Sequence, residues 1–227
     1  MSSSSLESRL AEVDGSIADA ARSAGRDVAE ITRIVVTKFH PPSLVRELHA
    51  LGVRNVAENR QQEFQSKAAE LESIDDLRWH FVGQVQSKKA RAVRRAASVV
   101  HSVDREKLVS ALDLPGEEPL DVLVQINLTQ DPNRGGVRGD DAPRLAEAIA
   151  RSASLRLRGV MAVAPLDEDP GLAFERLALV AGRVREVVPE ARWISAGMSG
   201  DFAEAILHGA THLRIGTAIT GPRPPQV

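Results

Sequence analysis

Eight short apolar runs, each but the last followed by a stretch with helical spacing, constrain this chain more than any other feature. The runs are 31–38 (ITRIVVTK), 53–59, 77–85, 98–104, 120–129, 155–163, 192–198 and 212–219. Several are near-continuous Val, Ile and Leu rather than alternating, which is the pattern of parallel strands covered on both faces. Helical patterns occupy 43–52, 60–72, 86–97, 105–112, 140–153, 171–188 and 199–209. Ser43 reads as an N-cap and Gly52 as a stop; Asp140 or Asp141 reads as the cap of a helix with Pro143 in its first turn. Ahead of the first run, residues 6–25 carry Leu6, Leu10, Val13 and Ile17 at helical spacing and close on Gly25. Together these elements describe a single α/β domain, a (β/α)8 barrel of the TIM type with an extra N-terminal helix. An open doubly wound sheet fits less well, since it uses fewer strands and no G-x-G-x-x-G follows the first run. The 227 residues are expected to form one barrel domain over 1–227, with 1–5 and the proline-rich 223–227 disordered.

Composition narrows the function. Lys+Arg 29 against Asp+Glu 31 leaves a net charge of -2, so nothing points to nucleic acid or an anionic membrane. No apolar run is long enough to span a bilayer and no basic-then-apolar leader is present, so a cytoplasmic protein is expected. The chain has no cysteine, which removes disulfides, thiolate metal sites and a cysteine nucleophile together. It has no tyrosine, which closes any mechanism that needs a phenol as acid or base.

In barrels of this kind the chemistry sits at the C-terminal ends of the strands. The first run ends in Lys38, the second in Glu58–Asn59, the seventh in SAGMSGD and the eighth holds RIGT. GMSGD (197–201) supplies glycine, serine and a helix start whose exposed N–H groups favour an anion. RIGT (214–217) adds Gly216, where backbone can approach closely, and the Thr217 hydroxyl. Phosphate commonly binds between strands seven and eight of such barrels, so two suitable turns at those strands point to a phosphate cup. An amine facing that cup suits a Schiff base with a phosphorylated aldehyde. Desolvation and nearby cations would lower the Lys38 pKa from its usual ~10.4 and free some amine at neutral pH. A phosphorylated sugar bound by an aldolase-like barrel satisfies the same observations.

The chain resembles the pyridoxal-phosphate homeostasis protein family over roughly residues 28 to 222. The most specific segment is WHFVGQVQSKK (79–89); HSVD (101–104), GMSGD (197–201) and RIGTAITGPR (214–223) match in the same order. The resemblance implies a barrel similar to the N-terminal domain of alanine racemase. It implies pyridoxal 5'-phosphate held as an aldimine on Lys38, its phosphate on Ser199, Gly216 and Thr217, its pyridine nitrogen facing Arg214, and a pocket lined by Asn59, Ser195 and Met198. The family's role is to carry, buffer and deliver the cofactor, which ties it to vitamin B6 and amino-acid balance. Apo-enzymes that use the cofactor are the implied recipients, and a monomer is the implied state. The sequence departs from the family at Phe39, Arg60, Lys88 and Gly200.

Carrier and enzyme remain two readings. An arginine keeps its proton, so the pyridine nitrogen facing it would stay unprotonated and the ring would be a weaker electron sink. A two-base racemase also needs a second acid or base, commonly tyrosine in the similar enzymes, and decarboxylases of similar fold often use cysteine. The carrier is therefore favoured, with an amino-acid racemase as the alternative. His80, inside an apolar run, reads as a satisfied core histidine, and His40, followed by prolines, as a loop residue. The five basic residues of SKKARAVRR (87–95) read first as a solvated helix face and second as an anion site. QDPNRGGVRGDD (130–141) reads as a flexible connection.

Overall fold

A computed structural model describes residues 4–131 and 133–222; of the ends expected to be disordered, 1–3 and 223–227 lie outside the described residues, whereas Ser4 and Ser5 are described and Ser5 caps the first helix. The strands are β1 (Thr32–Val36), β2 (Asn55–Glu58), β3 (Arg78–Phe81), β4 (Val99–Val103), β5 (Leu120–Gln125), β6 (Leu155–Met161), β7 (Trp193–Ser195) and β8 (His212–Ile215). They pair in parallel in chain order, and β1 meets β8 through Thr32↔His212 to Val35↔Ile215, closing the barrel.

The helices are α1 (Leu6–Ser23), α2 (Pro42–Ala50), α3 (Gln61–Glu70), α4 (Ala90–Ala96), α5 (Glu106–Leu112), α6 (Ala142–Ala150), α7 (Pro170–Val187), α8 (Phe202–Leu207) and α9 (Thr217–Thr220). The crossover helices bury one apolar face each, such as Leu145, Ala146 and Ile149 of α6 and Phe174, Leu177, Val180 and Val184 of α7. Strand residues with the opposite parity point into the barrel, because side chains alternate along a strand. Val99, Leu123 and Met161 form a small apolar layer there, separate from the large cluster outside the sheet.

The extra N-terminal helix is present. Ser5 caps it by accepting from Ser8 N, and it buries Leu10, Val13, Ile17 and Ala21 against the side of the barrel formed by α8 and α9. Arg9 donates to Ile219 O at 2.7 Å, and Arg26 to Ala210 O at 2.6 Å. Among the described residues no helix is long and apolar enough to cross a membrane.

Several local expectations are corrected. Ser43 is not the cap of α2: Pro42 opens the helix, so Ser43 already lies in its first turn, and Pro41 at the cap position makes no side-chain bond. Gly52 does follow α2, with φ 87°. Asp141 does stand at the N-cap of α6 with Pro143 in the first turn, but its side chain makes no capping bond; a 3-10 turn over Gly139–Asp141 leads into the helix, and Asp140 pairs with Arg183 at 2.9 Å. The eighth strand stops at Ile215, and residues expected to extend it to 219 turn into α9. The basic run 87–95 is not wholly a solvated face. Lys88 and Lys89 are exposed, but Arg94 is buried and donates to the carbonyls of Leu112, Ser154 and Glu118, tying α4 to the neighbouring loops. The 130–141 loop folds back on β5: Ile126 bridges Val137, and Gln125 Nε2 donates to Gly135 O.

Candidate functional site

At the C-terminal mouth of the barrel lies a cavity of about 410 Å3. Lys38, Asn59, Met198, Ser199, Arg214, Gly216 and Thr217 all line it, so seven of the residues singled out in the sequence converge on one space. They come from four strand ends. Lys38 stands two residues beyond β1 and shares its parity with Val36, which also lines the wall. The chain turns sharply just after it, at Phe39, with φ 69°. Asn59 follows β2. Gly83 brings the end of β3 against it so closely that a Cβ there would lie 1.9 Å from Asn59 O. Gly197, at φ 90°, opens the turn after β7, and a Cβ there would meet Ala205 at 2.8 Å. The following loop is fixed by Asp201, whose Oδ1 accepts from Met198 N at 2.6 Å, leaving Ser199 and Gly200 at the cavity. Gly216 does not serve to relieve crowding. A Cβ there would sit in ordinary contact with Val36 at 3.7 Å, so crowding by the protein does not demand glycine at this position.

Ser195 does not line the cavity. It lies two residues before Gly197 on the same face of the chain, one layer deeper, and is fully buried. Its contact with the mouth runs through Arg214. Arg214 Nη1 donates to Ser195 O at 2.7 Å and to Ser195 Oγ at 2.8 Å, and Nη2 donates to Ala162 O at 2.8 Å. Burial lowers the Arg214 pKa to about 10, opposed by Asp201, which still leaves the guanidinium charged at neutral pH.

A hydrogen-bonded chain continues below. Ser195 Oγ lies 2.9 Å from His101 Nδ1, His101 Nε2 lies 2.9 Å from His80 Nδ1, and His80 Nε2 lies 3.0 Å from Asn55 Oδ1. One assignment of hydrogens satisfies every link. Arg214 donates to Ser195, Ser195 to His101, His101 to His80, and His80 to the Asn55 carbonyl oxygen. Both imidazoles are then neutral. Burial is the main reason they stay so: it pushes His80 down to about 3, and it pushes His101, which also faces His80 and Arg214, well below the ordinary value. His80 is thus the satisfied core histidine that its apolar surroundings suggest.

The sequence did not single out Val36, Val82, Gln125, Met161 or Val163, which with Gly200 complete the lining. Most of the apolar ones stand at or near strand ends with inward parity, a signal visible only once the strand ends are known. Gln125 is the last residue of β5 and carried no mark of its own. His101 belonged to a matched motif without an assigned part.

Fold and mouth together define a class, a closed parallel barrel that presents an amine, a buried guanidinium and two hydroxyls to one cavity. The chain belongs to the family described as alanine racemase, N-terminal domain, which matches residues 24–224, and within it groups with the pyridoxal phosphate homeostasis proteins. A protein of that name from Mycobacterium leprae is 42% identical, covering 96% of this chain and 93% of the relative. The Escherichia coli protein of that name is 36% identical over 94% and 95%. Among solved structures, PipY of Synechococcus elongatus, with PLP bound, is 31% identical with a TM-score of 0.83, covering 96% of this chain and 100% of PipY.

Proposed function

We propose that this chain binds pyridoxal 5'-phosphate at the mouth cavity and acts in its homeostasis, holding the cofactor exchangeably and delivering it to apo-enzymes. The observation that carries the reading is the convergence of Lys38, Arg214, Ser199, Gly216 and Thr217 on one cavity. The cavity's size suits a small phosphorylated ring, since ligand sites run from about 300 to 1,000 Å3. Asn59 Oδ1, on the same wall, is buried and has no hydrogen-bond partner among the described residues, an acceptor that a ligand's donor would satisfy. The relatives' names and the PLP-bound PipY support the same ligand.

In this reading Lys38 would supply the amine that holds the cofactor's aldehyde carbon. The Ser199 and Thr217 hydroxyls and the backbone at Gly200 and Gly216 hold the phosphate. Arg214, pinned from below by Ser195 and Ala162, faces the pyridine nitrogen and keeps its own proton. When bound, the cofactor supplies an electrophilic aldehyde that can be passed on. Asn59 and Met198 line the ring's surroundings, and Ser195 acts one step removed, through Arg214. The chain carries neither tyrosine nor cysteine, and His80 and His101 are neutral and committed to each other below the cavity, so they favour a carrier over a racemase. The reading extends to a monomer working in the cytoplasm.

Purified protein is titrated with pyridoxal phosphate and its visible spectrum recorded. A yellow band that Lys38→Ala abolishes is expected. Protein that stays colourless sinks the cofactor reading and leaves a sugar-phosphate aldolase to be tested. Incubation with single L-amino acids followed by chiral analysis decides between carrier and racemase; turnover of ~1 per second or faster overturns the carrier.

A further inference from the structure

Lys38 is flanked by an ionic cluster whose members come from α3 and β2. On its N-terminal side, Lys67 Nζ donates to Thr37 O at 2.8 Å, and also to Glu58 Oε1 at 2.7 Å and Glu63 Oε1 at 2.8 Å. Thr37 Oγ1 donates to the same Glu58 oxygen at 2.7 Å. On the C-terminal side, Glu63 Oε1 accepts from Phe39 N. The Lys67 side chain is only 4% exposed, and Glu58 Oε2 is buried without a partner. A buried ammonium with three acceptors, beside a carboxylate with an idle oxygen, is an expensive arrangement that packing alone would not require.

The geometry has a consequence for the residue in the middle. Phe39 is the only non-glycine with positive φ among the described residues. Such a conformation persists only where surrounding contacts over-determine it. Among those contacts are the bond from Phe39 N to Glu63, the turn bond from His40 N to Thr37 O at 3.1 Å, and the Arg60 guanidinium 4.5 Å and the Lys38 amine 5.9 Å over the Phe39 ring. Lys67 and Glu63, one helical turn apart, therefore grip the chain on either side of the amine-bearing residue.

We infer that Glu63 and Lys67 are positioning residues that fix the direction from which the Lys38 amine enters the mouth cavity, and so set the rates at which the cofactor is captured and released. This rests on the proposed cofactor reading. Glu63 is the member to test, because its side chain is 23% exposed and its loss leaves Lys67 paired with Glu58.

The experiment compares wild type, Glu63→Ala, Glu63→Gln and the double variant Glu63→Ala/Phe39→Gly. Uptake of pyridoxal phosphate is followed by stopped-flow absorbance. Separately, the ligand-free proteins are reductively methylated with formaldehyde, and labelling at Lys38 is quantified by mass spectrometry against the exposed Lys88 and Lys89. Glu63→Ala is expected to slow uptake by roughly tenfold, the scale of one strained backbone conformation released. Its Lys38 labelling ratio should change by about threefold or more. Glu63→Gln should stay within about threefold of wild type, because a carboxamide oxygen still accepts from Phe39 N. Phe39→Gly should restore part of the loss, since glycine takes this backbone without strain. Unchanged uptake and labelling in Glu63→Ala overturn the inference. So does an equal loss in the Ala and Gln variants that Phe39→Gly fails to relieve, the mark of a merely structural role. If wild type takes up no cofactor, the functional reading falls, and the labelling ratio alone decides the positioning role.

Discussion

Arg214 donates to both the backbone oxygen and the hydroxyl of Ser195, so one residue of β7 holds the cavity's guanidinium twice. The hydroxyl also links that guanidinium to His101 below. Ser195→Ala keeps the backbone bond but leaves His101 Nδ1 without its donor in a fully buried setting. A loss of about 1–3 kcal/mol is expected. For a chain of this size that is a fall in melting temperature of roughly 2–4 °C per kcal/mol. Calorimetry checks it; an unchanged melting temperature removes the bridging role of the hydroxyl.

The buried histidines make stability depend on pH in a defined window. His80 and His212 have pKa values lowered to about 3 and about 4, chiefly by burial, and burial also holds His101 well below its ordinary 6.5. Below about pH 6.5 the unfolded chain binds protons that the folded chain refuses, so stability falls as pH falls and is insensitive to these groups above that value. Each contributes up to about 1.4 kcal/mol per pH unit. Urea unfolding at pH 7, 6 and 5 should show a falling stability whose slope between 6 and 5 shrinks by about one proton in His212→Gln. An unchanged slope in His212→Gln contradicts the neutral assignment. The acids with lowered values, Asp76, Asp113 and Glu168, act at lower pH. Glu58, raised chiefly by burial, opposes the histidines and His40, lowered chiefly by burial, acts with them, but both are common to the two proteins, so the difference between them isolates His212.

Gly83→Ala should damage the site from a distance. The added Cβ would meet the backbone of Asn59 at 1.9 to 2.8 Å, and the opposite side of Gly83 is fixed by the bond from Ser102 Oγ to Gly83 O at 2.6 Å. The ends of β2 and β3 must move apart, at a cost of about 1–3 kcal/mol, and Asn59 moves with them. Cofactor titration should show weaker binding alongside the lower melting temperature. Gly15→Ala, in open space on α1, is the control and should be neutral or slightly stabilising.

At the opposite end of the barrel, Asp121 gathers three cations, with Arg156 at 2.5 Å, Arg78 at 3.6 Å and Arg158 at 3.9 Å. Arg158 also lies over the Trp193 ring at 4.4 Å. Arg156 and Arg78 are about half exposed and stay solvated when the acid is lost, while Arg158 Nε is buried and keeps only the Trp193 face, so Asp121→Ala should cost about 1–3 kcal/mol rather than the larger penalty of a wholly stranded charge. Cofactor binding should not change. A loss of binding at this distance would contradict the separation of the two ends.

The barrel was legible because strands buried on both faces must be written in apolar residues. Runs such as VLV in β5 and VV in β4 have few other uses. Strand ends were less legible. The chain leaves the sheet two residues before Lys38 and bends into α9 after Gly216, and neither departure has an apolar signature. Lys38 was readable as an amine at the end of an apolar run and Thr217 as a hydroxyl in a phosphate-suited turn, whereas Arg214 was assigned only through the family resemblance. Ser195 came only from the family resemblance, as a pocket-lining residue, and its place beneath the site was not legible, since depth in a barrel depends on register. Glu63 and Lys67 were illegible for a different reason. An acid and a base four residues apart on a helix look like an ordinary solvated pair. Only the packing of α3 over β2, and the neighbouring Glu58, puts that pair inside.

The pairing of β1 with β8 joins the first strand of the sheet to the last. The wall that holds Lys38 and the wall that holds Ser199 and Thr217 are therefore translated almost a whole chain apart. A nascent polypeptide exposes its amine long before the facing turns exist. Any site built from both walls is therefore complete only once synthesis is nearly finished.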